Sequence, residues 1–329
     1  MNLLTITAPT VPDSVSDLMS KDTADIGGSI WSMLQKAFAK IHPEIASAAG
    51  LCLCLVAVVI LISMLKQMPG KTLSVVDFAG VLAVAALLLQ QTDSMIRVAT
   101  QTVVDLSEYG KLLLPVMTAA LASQGGVSGS AALYAGTAVF DAILSSAISN
   151  LLIPLVYIFL ALAVACAATG EALLEKLRDM IKWLMTWGLK TLLYIFTGYM
   201  GLTGVISGTA DEAAVKATKL TMSGMIPVVG GILSDASEAV IVGAGLMKSA
   251  AGVYGMLALI AIWITPFMQI GISYLLLKLT ASLCDSFGVK RVSSLIKNFS
   301  EAMGLLLGMT GAVCILLLIS VICFLKGMG

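Results

Sequence analysis

The stretch Ile45–Leu65 reads IASAAGLCLCLVAVVILISML and carries no charged residue. At about 1.5 Å of rise per residue, such a run crosses roughly 30 Å of hydrocarbon as a single helix. The rest of the chain repeats the message. Of 329 residues, 59% are hydrophobic and 12% charged, and the mean hydropathy is +1.01. Soluble domains carry about 25% charged residues, because water must be met by polar surface. An aromatic content of 6% and unalternating apolar runs exclude a β-barrel reading. The composition therefore predicts an all-α, polytopic transmembrane helical bundle.

Working outward from Ile45, residues 1–25 hold Asp13, Asp17, Asp22 and Asp25, with neither the basic nor the long apolar part of a secretory signal. We expect a flexible N-terminal tail there. Residues 26–42 place Ile30, Trp31, Leu34, Phe38 and Ile41 at helical spacing, which predicts an interfacial amphipathic helix ended by Pro43. Residues 45–329 form the expected transmembrane domain. Its spans are about Ile45–Leu65, Leu73–Leu89, Leu112–Ser123, Ala131–Ser149, Leu151–Ala168, Thr191–Gly208, Gly252–Leu283 and Ala302–Leu325. Gln90–Lys111 and Glu171–Lys190 read as further amphipathic helices outside the hydrocarbon. Pro266 should kink the long Gly252–Leu283 span.

Basic residues cluster in three stretches: Lys66 with Lys71; Lys176, Arg178, Lys182 and Lys190; and Lys290, Arg291 and Lys297. The positive-inside rule puts all three in the cytoplasm. Eight crossings satisfy that placement, with both termini outside.

Enzyme signatures are absent. No GxxxxGK[ST] or HExxH occurs, and His42 is the only histidine. We expect no catalytic residues, no cofactor and no metal site. The six cysteines lie within or beside apolar runs and read as small hydrophobes. A net charge of zero gives no footprint for nucleic acid. The lipid bilayer is the expected surrounding, and a homo-oligomer is compatible with the pattern.

Charges inside spans are expensive, at about 2.5–3.5 kcal/mol on insertion scales. Asp141, deep within a predicted span, is the strongest intramembrane polar candidate, with Asn150 and Gln269 beside it. Such a residue either hydrogen-bonds to neighbouring helices or lines a path. Gly204 with Gly208 and Gly304 with Gly308 are GxxxG pairs that allow close helix approach.

The most unusual stretch is Ser223-Gly224-Met-Ile-Pro227-Val-Val-Gly230-Gly231, followed by Ser234-Asp235-Ala. It is too apolar in its middle for a solvated loop and too polar at its ends for a span. We read residues 211–250 as a re-entrant helix–break–helix segment entering and leaving from the outer face.

That block, with Leu113-Leu-Pro115 and the Gly-Gly-Val-Ser run after it, and Val240–Gly252 with Lys248, resembles the stage III sporulation protein AE family. The resemblance runs from about Lys111 to the C-terminus. It implies a polytopic subunit of the assembly joining mother cell and forespore, seated in the mother-cell membrane around the forespore. It also implies other stage III sporulation membrane proteins and a forespore-side protein as partners, a feeding or secretion channel as the setting, and no enzymatic activity. Members often begin with a cleavable signal peptide, which this sequence does not show. Two rivals stand beside it: an autonomous secondary transporter, and a purely structural membrane scaffold.

Overall fold

A computed structural model describes residues 26–66, 73–123, 127–202 and 250–327. Among these the regular structure is all helical: α1 (Ile26–Lys66), α2 (Leu73–Ser123), α3 (Val127–Ala147), a π-helical turn (Ile148–Leu152), α4 (Ile153–Thr169), α5 (Ala172–Leu202), α6 (Ala250–Ser286) and α7 (Lys290–Gly327). Five helical stretches are long and apolar enough to cross a membrane: Gly28–Lys66, Val75–Leu121, Ser130–Thr169, Gly252–Ser286 and Lys290–Lys326. The expected tail and the re-entrant segment, apart from Ala250, lie outside the described residues.

Several expected boundaries do not exist. Pro43 does not end the first helix, because α1 runs through it from Ile26 to Lys66. The pieces read as Leu73–Leu89, Gln90–Lys111 and Leu112–Ser123 are one 51-residue helix with Pro115 inside it. At about 1.5 Å per residue this rod is about 75 Å long. Glu171–Lys190 continues into the following apolar segment as α5. The stretches expected to cross separately on either side of Asn150 form one rod. The count of eight spans divided rods that are continuous, and the described residues carry five membrane-length helices. Proline removes one hydrogen bond but need not stop a helix whose neighbours hold it in place.

The junction of α3 and α4 shows how one rod survives its proline. Pro154 has no N–H to give and crowds the preceding turn. The ladder widens there, and Ile153 N–H bonds to Ile148 O, five residues back. True ends are made by glycines with positive φ. Gly170 (φ 77°) ends α4 with its N–H on Cys166 O at 2.7 Å. Gly288 (φ 74°) turns α6 into α7.

Successive rods run antiparallel. At one end of the bundle Ser63 Oγ donates to Phe287 O at 3.2 Å, and Arg291 Nη1 donates to Ala168 O at 3.5 Å. The Lys66 ammonium lies 2.6 Å from Asp77 Oδ1, tying the end of α1 to the start of α2. At the opposite end Tyr199 OH donates to Ala132 O at 3.1 Å. There Gly252 lies against Leu325 and Gly255 against Leu113.

The core sits on α7, which packs against α6, α2, α3, α4 and α5. Its most apolar window is 83% buried, against 28% for the window of α1. A helix apolar all round either faces lipid or is enclosed by other helices, and this one is enclosed. Phe299, Leu306, Val313 and Phe324 are fully buried. The apolar stripe expected on residues 26–42 is also divided differently. Met33, Ala37 and Ile41 are buried, while Trp31 and Phe38 face outward.

Candidate functional site

The three intramembrane polar candidates do not form one hydrogen-bonded group. Asp141 on α3 is 3% exposed. Ser107 Oγ of α2 donates to its Oδ2 at 2.6 Å, and its Oδ1 has no hydrogen-bond partner among the described residues. Asn150, on the π turn, is exposed and donates to Ser146 Oγ of its own rod at 3.1 Å. Gln269 is half-buried on α6, just past Pro266. A substrate cage needs convergent groups, and this trio does not supply one.

Polar partners that sequence reasoning did not single out lie next to Asp141. One turn before it, Thr137 is fully buried and its Oγ1 donates to Ser320 Oγ of α7 at 2.9 Å. Ser320 Oγ in turn donates to Leu316 O at 2.9 Å. The spacing of Thr137 and Asp141 places them on one helix face, a signal present in the sequence. Their partners on α2 and α7 were not, since nothing linear joins them.

The GxxxG candidates divide. Gly204 and Gly208 lie outside the described residues. Gly304 and Gly308 are buried on α7, and a methyl group on Gly304 would lie 3.3 Å from the Tyr274 ring of α6. A tighter approach occurs where no GxxxG pattern points. A methyl on Gly136 would overlap the Tyr199 ring, which also packs on Phe140 with centroids 5.7 Å apart.

Ser223, Gly224, Pro227, Gly230, Gly231 and Asp235 also lie outside the described residues. The helices on either side of them are informative all the same. Tyr199 near the end of α5, and Gly252 and Gly255 near the start of α6, are all at the end of the bundle opposite the Ser63–Phe287 contact. Residues 203–249 therefore leave and return at the same end.

The other end gathers the basic stretches. Lys66, Lys290 and Arg291 belong to contacting helix ends there, and α5 starts beside them. Lys182 pairs with Glu301 of α7 at 2.9 Å. Arg178 gives Nη2 to Asp179 Oδ1 at 2.7 Å and reaches Glu175 Oε1 at 3.4 Å. Burial works against the Arg178 charge. The hydrogen bonds and charge of Asp179 more than offset it and hold the guanidinium's proton more tightly than usual.

Among the described residues no three His, Cys, Asp or Glu side chains group as a metal site. All six cysteines are free.

Comparison with known proteins gives a direction. A curated relative, "Stage III sporulation protein AE" of Bacillus subtilis (strain 168), is 26% identical over 220 residues. The alignment covers 66% of this chain and 55% of the relative, so the chain spans about half the relative's length. No solved structure matches. The sequence profile of the family described as Stage III sporulation protein AE matches residues 12–327, so the chain belongs to the stage III sporulation protein AE family.

Proposed function

We propose that this chain is a non-enzymatic membrane subunit of the transenvelope assembly between mother cell and forespore, and that it contributes to a feeding or secretion channel. Membership of the family over residues 12–327 carries the reading. Five membrane-length helices support an embedded subunit. The scattered positions of Asp141, Asn150 and Gln269 favour it over an autonomous transporter.

The location follows from the same reading. The protein sits in the mother-cell membrane around the forespore, with its basic end in the cytoplasm by the positive-inside rule. The start of α1 and the end of α7 then lie on the outer side. Residues 211–250 form a re-entrant hairpin on that outer side, a reading supported by α5 ending and α6 beginning at the same end of the bundle. Other stage III membrane proteins and a forespore-side protein are the partners.

The test is genetic. Deleting the gene should arrest forespore development after engulfment, and restoring the intact gene should rescue it. A clean deletion strain that still makes normal spores would overturn the proposal.

A further inference from the structure

The middle of α2 carries a polar stripe on the outside of the bundle. Gln90, Arg97, Gln101 and Glu108 are exposed, with Asp93 and Asp105 half-buried in line with them. At about 100° per residue, these six fall within a sector of about 120°. From Gln90 to Glu108 the stripe is about 27 Å long, close to the ~30 Å thickness of a bilayer's hydrocarbon.

The neighbouring rod extends it. Tyr157 OH of α4 donates to Asp93 Oδ1 at 2.8 Å, and the Ser107–Asp141 bond fixes the other end of the same antiparallel contact. Between these two ties the rod shows Asn150 and Ser146, both exposed and bonded to each other.

Lipid cannot cover this face, because each exposed charge at membrane depth costs about 2.5–3.5 kcal/mol. Yet other exposed positions at the same height of that rod are apolar. Leu151 and Ile158, each next in sequence to a residue of the polar face (Asn150 and Tyr157), are 58% and 48% exposed. One side at this height is therefore suited to hydrocarbon and another is not.

Asp93, Arg97 and Asp105 are already engaged within the chain. Arg97 Nε donates to Asp93 Oδ2 at 2.9 Å, and Gln101 Nε2 donates to Asp105 Oδ1 at 2.7 Å. Groups so engaged need hydration more than a partner's countercharge. The face points away from α7, whose surroundings among the described residues are filled with side chains.

We propose that this face of α2 and α4 lines a water-filled lumen closed by further copies of this chain. The inference rests on the reading of the chain as a membrane-embedded channel subunit, and it names the wall. Identical copies arranged about one axis would each turn the same face inward. The three carboxylates of the stripe stand against Arg97 and against exposed Lys111 one turn past Glu108, so the lumen passes small hydrophilic solutes with little preference between cations and anions.

The test places single cysteines at Arg97, Gln101 and Glu108, and at Leu151 and Ile158 as controls, in a chain otherwise free of cysteine. Native membranes are treated with a membrane-impermeant, thiolate-specific reagent. Stripe positions should react about tenfold faster than the controls, because thiols ionise in water and not in lipid. Equal rates overturn the proposal: slow throughout, the stripe is packed against protein; fast throughout, this height lies outside the membrane.

A second measurement uses the unsubstituted chain in vesicles. Water-soluble carbodiimide with an amine should modify Glu108 and spare buried Asp141, and an unmodified Glu108 counts against the lumen. The sporulation readout separates the two proposals. An unreactive stripe in a chain whose deletion still blocks sporulation rejects the lumen alone. A reactive stripe in a chain whose deletion leaves spores normal rejects the subunit role alone.

Discussion

Ser107 of α2 donates a 2.6 Å hydrogen bond to the buried carboxyl of Asp141 on α3. It joins two long rods at the point where a charge would be most costly. Interhelical hydrogen bonds in membranes average about 0.6 kcal/mol and reach about 1.7. Ser107→Ala should lower unfolding stability in mixed micelles by an amount in that range. Asp141→Asn keeps an acceptor for Ser107 and removes an ionisable group, so it should be at least as stable as the parent. Asp141→Leu should lose the bond and resemble Ser107→Ala. An Asn variant much less stable than the Leu variant would contradict this account.

Gly136 should tolerate no side chain. A methyl there overlaps the Tyr199 ring, which is fixed by its bond to Ala132 O and its packing on Phe140. Overpacking of this kind costs about 1–3 kcal/mol. Gly136→Ala should destabilise by that amount in a thermal-shift measurement. Gly188→Ala on α5 meets nothing within 4 Å and should be neutral or gain up to about 1 kcal/mol from helix propensity.

Reporter tags test the orientation. Tags inserted at Gly170 and at Gly288 should report the same side of the membrane, because Arg291 ties those two turns together. A tag in the 124–126 connector should report the other side. Opposite sides for Gly170 and Gly288 would break the antiparallel order.

The segment between α5 and α6 has its own expectation. Single cysteines near Thr209 and near Ser249 should both label from outside intact cells. Labelling should fall away around Pro227–Gly231 and return by about Glu238. Uniform labelling would make the segment an ordinary outer loop, and labelling of only one flank would contradict the shared end of Leu202 and Ala250.

Much of the candidate site was hidden for a definite reason. Asp141 could be picked from the sequence because an isolated carboxylate in an apolar run stands out. Its partner Ser107 could not, since it lies in a stretch that reads as a surface helix and its hydroxyl is one of many. The polar residues of Gln90–Lys111 were visible as a helical pattern, but not their place in the middle of one continuous rod. Amphipathicity reports that one face avoids lipid, and it does not report whether the helix lies on the membrane or stands within a bundle. The contact of Asp93 with Tyr157 shows that this stretch packs against α4.

The sequence by itself determined the solvent and the secondary structure. A chain with 12% charge and uncharged runs such as Ile45–Leu65 is driven into lipid, and backbone groups in lipid can be satisfied within helices. The tertiary structure decided where the helices stop and what each face meets. Pro43 looks like a stop when read singly, yet α1 runs through it, as α2 runs through Pro115 and α6 through Pro266, with packed neighbours along each rod. Hydropathy is a property of a residue, whereas burial is a property of its neighbours. Only the packing of α2, α3 and α4 around α7 separates the carboxylate turned inward at Asp141 from the one turned outward at Glu108.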